Sequence, residues 1–158
     1  MKFLVDHMLG KLAKYLRFMG YDTYYPDGQL SDNTLIKIAR EEERIIITRD
    51  KELARRSNGF LVKSDNYEKQ LREVIENFNL NTDNLLSRCS VCNEPLVPVK
   101  KEDVKDKVPV YVYEHNNEFY MCPKCRRIYW YGTHTERIER KIKRITEELY
   151  EDRREGEK

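Results

Sequence analysis

The chain has 158 residues, enough for one ordinary domain or for a small domain with an appendage. Its 30 Lys and Arg residues nearly balance its 28 Asp and Glu residues, giving a net charge of +2, so a nucleic-acid partner would have to be recognised locally rather than by bulk positive charge. No apolar run approaches membrane-spanning length and the N-terminus shows no signal-peptide pattern, so we expect a cytoplasmic protein with no membrane partner.

Two short apolar runs, each followed by a carboxylate, stand out in the N-terminal half. Residues 3–5 are followed by Asp6, and residues 45–48 are followed by Arg49 and Asp50. Unbroken apolar runs this short are typical of strands buried on both faces, as in a parallel sheet covered by helices. Ligands of such sheets bind at the carboxyl ends of the strands, so we expect both Asp residues in one crevice.

The rest of this half alternates strands with helices. Further strands are predicted at residues 21–25 and 60–62, and helices at residues 9–19, from about residue 32, after residue 50 and from about residue 66. A β-strand followed by an α-helix, repeated four times, is the order of a parallel sheet. We therefore predict an α/β fold with a parallel sheet flanked by helices.

Two further acids belong near the predicted crevice. Asp32 lies at the start of the second helix, and Glu52 lies in the first turn of the third. Asp32 and Asp50 could instead simply cap their helices, and Glu52 could point to water. Clustered carboxylates repel one another unless a cation joins them, and Mg²⁺ or Mn²⁺ prefers oxygen ligands.

Such a centre has the chemistry that phosphodiester hydrolysis needs. We predict Asp6, Asp32 and Asp50 as ligands of magnesium or manganese, and these three with Glu52 as the catalytic group. Basic side chains near the mouth are candidates for phosphate contacts: His7, Lys14, Arg17 and Arg49. A solvated helix face is an equally good interpretation of the row that contains Lys14 and Arg17.

The four cysteines form two C-x-x-C pairs separated by 29 residues: Cys89, Cys92, Cys122 and Cys125. Four thiolates in this pattern are typical of structural zinc, and the spacer has the length of a β-ribbon. A redox pair or two disulfides are the alternatives, but a redox pair of the thioredoxin type would be followed by a helix. We expect residues 108–113 and 118–121 to form the hairpin of this ribbon.

The densest aromatic segment of the chain, residues 128–134, follows the second pair. Its rings could pack the ribbon, which has little core of its own, or stack on the bases of single-stranded RNA beside Arg126 and Arg127. Trp130 and His134 are therefore candidate substrate-binding residues.

A long helix is predicted from Thr133, which has capping-box spacing with Glu136. Its apolar stripe could cover the chain's own sheet or join two chains into a homo-oligomer. The sequence thus divides into residues 1–80, the parallel-sheet domain, residues 88–134, the zinc ribbon, and residues 135–158, a charged amphipathic helix.

Three segments, LVDHMLGKLAKYLRFMGYDT, SDNTLIKIAREEERIIITRDKELARR and RCSVCNEPL, resemble the PIN-like ribonuclease family that includes the C-terminal domain of the Mut-seven exonuclease. The resemblance runs from about Phe3 to His134. It implies a PIN-like parallel sheet, a divalent-metal site and cleavage of single-stranded or structured RNA. Asp6, Asp32, Asp50 and Glu52 occupy the places of the family's acidic residues.

One family feature is missing. Many PIN nucleases carry a further Glu on a helix between the first strand and the second acidic position, and here the intervening helix has none. Asp22 is the acid that could replace it.

Two other classes of protein fit parts of the pattern. A non-catalytic RNA- or ribosome-binding zinc-ribbon protein would bind through the ribbon and leave the crevice without a metal. A phosphoacceptor receiver domain also places Asp residues at strand ends, but it needs adjacent acids after the first strand, and here Asp6 is followed by His7.

Overall fold

A computed structural model describes residues 1–156, which form two sheets and six α-helices. The first sheet is fully parallel, with the order β2-β1-β3-β4. Its strands are β1 (Lys2–Val5), β2 (Asp22–Tyr24), β3 (Ile45–Thr48) and β4 (Phe60–Leu61). The predicted parallel α/β architecture is confirmed.

Helices cover both faces of this sheet. They are α1 (Gly10–Phe18), α2 (Asp32–Glu42), α3 (Lys51–Ser57) and α4 (Tyr67–Phe78). Side chains alternate along each strand, so Phe3 and Val5 pack in a core with α1 and α4 while Leu4 packs in a second core with α2 and α3. The unbroken apolar runs follow from burial on both faces.

The C-terminal helix α6 (Thr133–Gly156) belongs to the first of these cores. Ile138, Ile142, Ile145 and Leu149 are buried against the residues of α1 and α4. The apolar stripe therefore covers the chain's own helix layer, and the prediction that it joins two chains is wrong for these side chains. The predicted helix also included Glu157 and Lys158, which lie outside the described residues.

Helices α4 and α6 run in the same direction. Lys141 Nζ donates to Tyr67 Oη at 2.6 Å at the start of α4, and Arg153 Nη1 donates to Asn79 Oδ1 at 3.0 Å just past its end.

Helix α6 begins at Thr133 as predicted, but the predicted capping box of Thr133 with Glu136 is replaced by a different contact. Thr135 Oγ1 accepts from the Gly132 N–H at 2.8 Å.

The second sheet is antiparallel, with the order β5-β6-β7, and we call residues 88–132 the ribbon. Its strands are β5 (Val97–Val99), β6 (Phe119–Met121) and β7 (Ile128–Tyr129). The predicted hairpin is wrong in one strand, since residues 108–113 do not pair with β6. Val110–His115 forms helix α5 instead, with a Tyr111–His115 ring stack at 3.9 Å.

Aliphatic and aromatic residues alternate along residues 108–113, which suggested a strand with one buried face. The structure buries neither face of this segment. Both Val110 and Tyr111 are 71% exposed, and α5 has no buried residue. Without a face to bury, the local i, i+4 contacts of a helix decide the conformation. Within residues 1–156, no helix is both long and apolar enough to cross a membrane.

Candidate active site and metal centre

At the carboxyl end of the parallel sheet, the hydroxyl of Thr48 contacts both the Asp6 carboxylate and the Asp50 backbone. The Thr48 Oγ1–H donates to Asp6 Oδ2 at 2.8 Å, and Thr48 Oγ1 accepts from the Asp50 N–H at 3.0 Å. This follows from the register, in which Val5 lies opposite Ile47 on the neighbouring strand. Thr48 is fully buried, and the motif reasoning that selected the acids did not identify it as their link.

Asp6 is the buried member of the pair, at 8% exposure. Its second oxygen, Oδ1, lies 2.9 Å from His7 Nδ1. The backbone of Asp6 is also fixed, because its N–H donates to the Ile47 carbonyl at 3.0 Å. Each carboxylate oxygen has two acceptor positions, so Asp6 keeps capacity for a cation in addition to these bonds.

Asp50 is the exposed member and also caps α3. Its Oδ1 accepts from the N–H groups of Glu52 at 2.8 Å and Leu53 at 3.1 Å. The capping interpretation of Asp50 is confirmed, and it uses only Oδ1, so Oδ2 takes no part in the cap.

Asp32 and Glu52 are each held by an arginine of α3. Asp32 Oδ2 lies 3.6 Å from Arg56 Nη1, and Glu52 pairs with Arg55. The hydrogen bond from Arg55 lowers the pKa of Glu52. Ser31 is the residue that caps α2, so Asp32 occupies the first turn rather than the cap position.

Through Thr48 the structure links the Asp6 carboxylate to the Asp50 backbone, and Asp32 and Glu52 are in ion pairs with arginines. Within residues 1–156, the cysteine cluster is the only group of three or more His, Cys, Asp or Glu residues whose ligand atoms lie within 4.8 Å of one another. Asp6 and Asp50 supply the hard oxygen donors that suit Mg²⁺ or Mn²⁺. To bind the cation, Asp32 would have to leave its ion pair with Arg56, and Glu52 its ion pair with Arg55.

The basic candidates occupy different surroundings. Arg49 lies between Thr48 and Asp50 and is exposed, and Lys14 is exposed on α1 with Nζ 5.7 Å from the centre of the Phe18 ring. His7 borders Asp6 directly. These three are accessible to a phosphate.

Arg17 does not fit the prediction of a phosphate contact. It is 8% exposed, and it donates to the carbonyl oxygens of Thr23 at 2.9 Å and of Ser90 and Val91 at 3.0 Å each. With its guanidinium occupied by backbone acceptors, Arg17 fastens the ribbon to α1 and β2.

Asn93 completes this junction. Its Oδ1 accepts from the Thr23 N–H at 2.9 Å, and its Nδ2 donates to Asp22 Oδ1 at 2.7 Å. Asp22 also pairs with Arg44 at 2.8 Å. Burial would raise the pKa of Asp22, but the hydrogen bonds from Arg44 and Asn93 outweigh it and lower that pKa.

Asp22 therefore cannot replace the missing family Glu. It begins β2 opposite Lys2 of the parallel β1, whereas Asp6 follows the end of β1. Asp22 therefore lies at the amino end of the strands and Asp6 at the carboxyl end.

The four predicted zinc ligands come together in the ribbon: Cys89, Cys92, Cys122 and Cys125. Their sulfur atoms all lie within 4.8 Å of one another, and the Cys89 and Cys125 sulfurs are 3.8 Å apart. Bonds of about 2.3 Å from a tetrahedral zinc imply sulfur separations of about 3.8 Å. All four cysteines are free thiols, and their arrangement can hold a metal such as zinc.

The two C-x-x-C turns have matching backbones. The N–H of the residue after each second cysteine donates to the carbonyl of the first, from Asn93 to Cys89 at 2.9 Å and from Arg126 to Cys122 at 2.8 Å. Tyr129 adds an outer contact, with its Oη 3.0 Å from Cys89 Sγ. Paired turns of this kind present four sulfurs to one point.

Ionising one of the four thiols makes it harder to ionise its neighbours, because the negative charges repel one another. Burial raises the pKa of Cys92 to about 12, and the neighbouring cysteines add to this effect. Burial would also raise the pKa of Cys125, but hydrogen bonds from Arg127 and the adjacent thiols outweigh it and lower that pKa to about 6. A bound cation would favour ionisation of all four sulfurs and remove the conflict.

Trp130 lies near the end of the ribbon, and His134 lies just after the ribbon, in α6. Trp130 is half-buried and lines an open groove, whereas His134 is exposed on the first turn of α6. Neither is among the side chains that contact Asp6 or Asp50.

Fold and site together define an α/β protein with an acidic pair at the carboxyl edge of a parallel sheet and a four-cysteine centre. The family model for the Mut7-C RNAse domain matches residues 1–142, which is most of the chain. The chain belongs to this family, which indicates a ribonuclease-type function with RNA as substrate. No curated protein matches the chain.

Proposed function

We propose that the protein is a divalent-metal-dependent ribonuclease that hydrolyses RNA phosphodiester bonds at the acidic pair. The observation that carries the proposal is the Asp6–Thr48–Asp50 arrangement at the carboxyl edge, within a chain of the Mut7-C RNAse family. In this proposal residues 1–80 perform catalysis, residues 88–134 form a zinc ribbon, and the charged helix predicted at residues 135–158 covers the catalytic domain with its described part, up to residue 156.

Asp6 and Asp50 would be the direct ligands of magnesium or manganese, with Asp32 and Glu52 as additional ligands or water-positioning groups. When bound, the cation supplies a polarised water and neutralises charge on the scissile phosphate. Thr48 holds the Asp6 carboxylate in place, and Asp50 is held by α3. His7, Lys14 and Arg49 are placed to contact the phosphates of the substrate.

Zinc is proposed as the structural metal of the four cysteines. Four cysteines that bind a metal rather than form disulfides would fit a reducing compartment, and on this basis we propose a cytoplasmic location.

The experiment is cleavage of end-labelled single-stranded RNA with added Mg²⁺ or Mn²⁺, comparing the wild type with Asp50→Asn. Because Asn caps a helix about as well as Asp, the variant should fold normally. We expect a loss of cleavage of about a hundredfold or more, beyond the effect of changing an outer-shell residue. The fragment lengths would also show whether cutting is internal or terminal.

Asp83→Asn is the matched control, because Asp83 is an exposed acid in a turn beside Gly20, which precedes β2 and so lies at the other end of the strands from Asp6. It should cleave at the wild-type rate. Equal rates for Asp50→Asn and the wild type would contradict the proposal.

A non-catalytic RNA-binding protein is the second candidate. The pairing of Asp32 with Arg56 and of Glu52 with Arg55 favours it, because both arginines neutralise acids that a metal would need. Tight RNA binding without cleavage in either metal would support this candidate.

A further inference from the structure

The ribbon carries an open groove of about 550 Å³, in the size range of about 300–1,000 Å³ that is usual for ligand sites. Its lining comes from both C-x-x-C turns, from β7 and from two further residues, Lys107 and Trp130. The turns and β7 contribute Val91, Arg126, Arg127 and Ile128, among others. Of the residues in the described part of the chain that line this groove, three are cationic and none is acidic. Its ligand should therefore be anionic and have an apolar or aromatic part.

Arg126 occupies a backbone position that arginine disfavours. The two C-x-x-C turns match, and the residue after each second cysteine is left-handed, with φ of 69° at Asn93 and 65° at Arg126. Asparagine tolerates this conformation well, whereas a long side chain is strained there. Arginine at this position costs stability that Asn or Gly would not.

The two equivalent residues serve different purposes. Asn93 uses its side chain within the molecule, where it fastens the ribbon to β2. Arg126 is exposed and lines the groove. The Arg126 guanidinium is therefore available to a ligand in the groove.

The zinc centre could account for some of the positive charge, because one Zn²⁺ with four thiolates carries a net charge of −2. Arg127 lies next to that centre, because its carbonyl accepts from the Cys122 N–H at 3.0 Å. With Arg126 and Lys107, the groove has three cationic residues, which exceed the charge of −2 on the centre by one positive charge.

We propose that this groove binds single-stranded RNA, with a base stacked on Trp130 and the flanking phosphates contacted by Arg126 and Lys107. The proposal rests on the proposed function, in which RNA is the substrate, and assigns the ribbon the task of holding an unpaired segment. A duplex hides its base faces, whereas an unpaired strand offers both a base face and a phosphate chain.

Trp130 is the only tryptophan of the chain, so its fluorescence reports on the groove alone. The first measurement is titration of the zinc-loaded full chain with a ten-nucleotide oligouridylate, without added Mg²⁺ or Mn²⁺. We expect saturable quenching that weakens as salt rises. An RNA duplex of the same length should quench less, and an acidic peptide that quenches as strongly as RNA would overturn the assignment to RNA.

The decisive variant is Arg126→Asn, measured by anisotropy of labelled oligouridylate and by thermal unfolding. Binding should weaken several-fold, with a decrease of about 0.7 in the salt slope for one lost phosphate contact. Thermal stability should stay equal or rise, because Asn accepts the left-handed backbone. Weaker binding with greater stability is a combination that a purely structural arginine would not produce.

Two controls separate the groove from its surroundings. Lys124→Asn removes the same charge from the same turn outside the groove, and it should bind RNA nearly as the wild type does. Trp130→Ala should weaken binding by at least about fivefold, the lower end of the effect of losing a stacked base. Tyr131→Ala, which changes an exposed ring next to Trp130, should leave binding unchanged.

The outcomes also separate this inference from the proposed ribonuclease activity. If Asp50→Asn abolishes cleavage while RNA leaves Trp130 fluorescence unchanged, the groove proposal fails and the ribonuclease remains. If RNA quenches Trp130 but no RNA is cleaved, the activity fails and the groove remains. Equal affinity of Arg126→Asn and the wild type would overturn the groove proposal.

Discussion

At the scale of single residues, Thr48 is the side chain on which the acidic pair depends. Its one hydroxyl donates to Asp6 and accepts from the Asp50 N–H, so it sets the position of both strand ends. The sequence pattern draws attention to the charged residues, but the uncharged residue between them determines their geometry.

Thr48→Val keeps the shape of the side chain and removes the hydroxyl. The Asp50 N–H would lose its acceptor and the Asp6 carboxylate a donor, which should lower the free energy of unfolding by about 1–3 kcal/mol. We expect cleavage to fall by about tenfold to a hundredfold, as for other groups that position metal ligands. Urea unfolding and the RNA cleavage assay would measure the two effects.

Thr48→Ser is the control, since it keeps the hydroxyl and loses only a methyl group. It should retain most of the cleavage activity. A wild-type rate in Thr48→Val would show that the hydroxyl does not position the acids.

Tyr129 has a similar supporting position at the cysteine centre. Its hydroxyl lies 3.0 Å from Cys89 Sγ, so Tyr129→Phe should weaken zinc binding by about tenfold to a hundredfold. Competition with a chromogenic chelator would measure this change. Tyr120→Phe, on the neighbouring strand, should leave zinc affinity unchanged, and equal affinities for all three proteins would rule out a role for the Tyr129 hydroxyl.

At the scale of elements, the junction between the ribbon and the parallel sheet consists of polar contacts. Arg17 and Asn93 reach across about seventy residues of sequence to bond with backbone groups. The edge strand β2 thereby gains partners for groups that would otherwise face water, which protects an exposed sheet edge.

Asn93→Gly tests this junction while keeping the left-handed backbone. It removes the bonds to Thr23 and Asp22, and the free energy of unfolding should fall by about 1–3 kcal/mol. The Thr23 amide should also exchange its hydrogen faster, which NMR can follow. Asn58→Gly changes another left-handed Asn, on the exposed end of α3, and should have a smaller effect; equal effects would assign the loss to the backbone alone.

The sequence predicts these elements unevenly, for physical reasons. Strands β1 and β3 were predictable because burial on both faces produces an unbroken apolar run, and the cysteine centre because metal geometry fixes the ligand spacing. Helix α5 was not, since an exposed segment has no burial pattern. The role of Arg17 was not either, because its partners are backbone carbonyls distant in sequence.

The candidate site was also predictable only in part, for the same physical reasons. Asp6 and Asp50 follow strands whose pairing could be anticipated, so their placement at the same end of the sheet was predictable. The ion pair of Asp32 with Arg56 joins two helices whose relative placement no local pattern encodes.

At the scale of the whole molecule, the two sheets depend on different sources of stability. The parallel sheet has two apolar cores, whereas the ribbon buries few side chains, chiefly Val104 and Phe119 beside Cys89 and Cys122. So small a core does not ordinarily fold without a metal.

Zinc removal should therefore unfold the ribbon selectively. With a zinc-specific chelator, we expect amides of residues 88–132 to lose protection from hydrogen exchange while those of β1 and β3 keep it. Zinc should also leave more readily as pH falls, because protons compete for the thiolates. Full protection of the ribbon after zinc loss would contradict this expectation, and re-adding zinc is the control for reversibility.

The position of α6 has a consequence for synthesis on the ribosome. Its apolar stripe completes the core of the parallel sheet, yet about fifty residues of ribbon separate it from α4. During translation, α1 and α4 emerge long before Ile142, Ile145 and Leu149, so their outer apolar surface stays uncovered in the nascent chain. The sheet domain can mature only after the ribbon has emerged, and this makes the interval of ribbon synthesis the period of greatest exposure to chaperones and to aggregation.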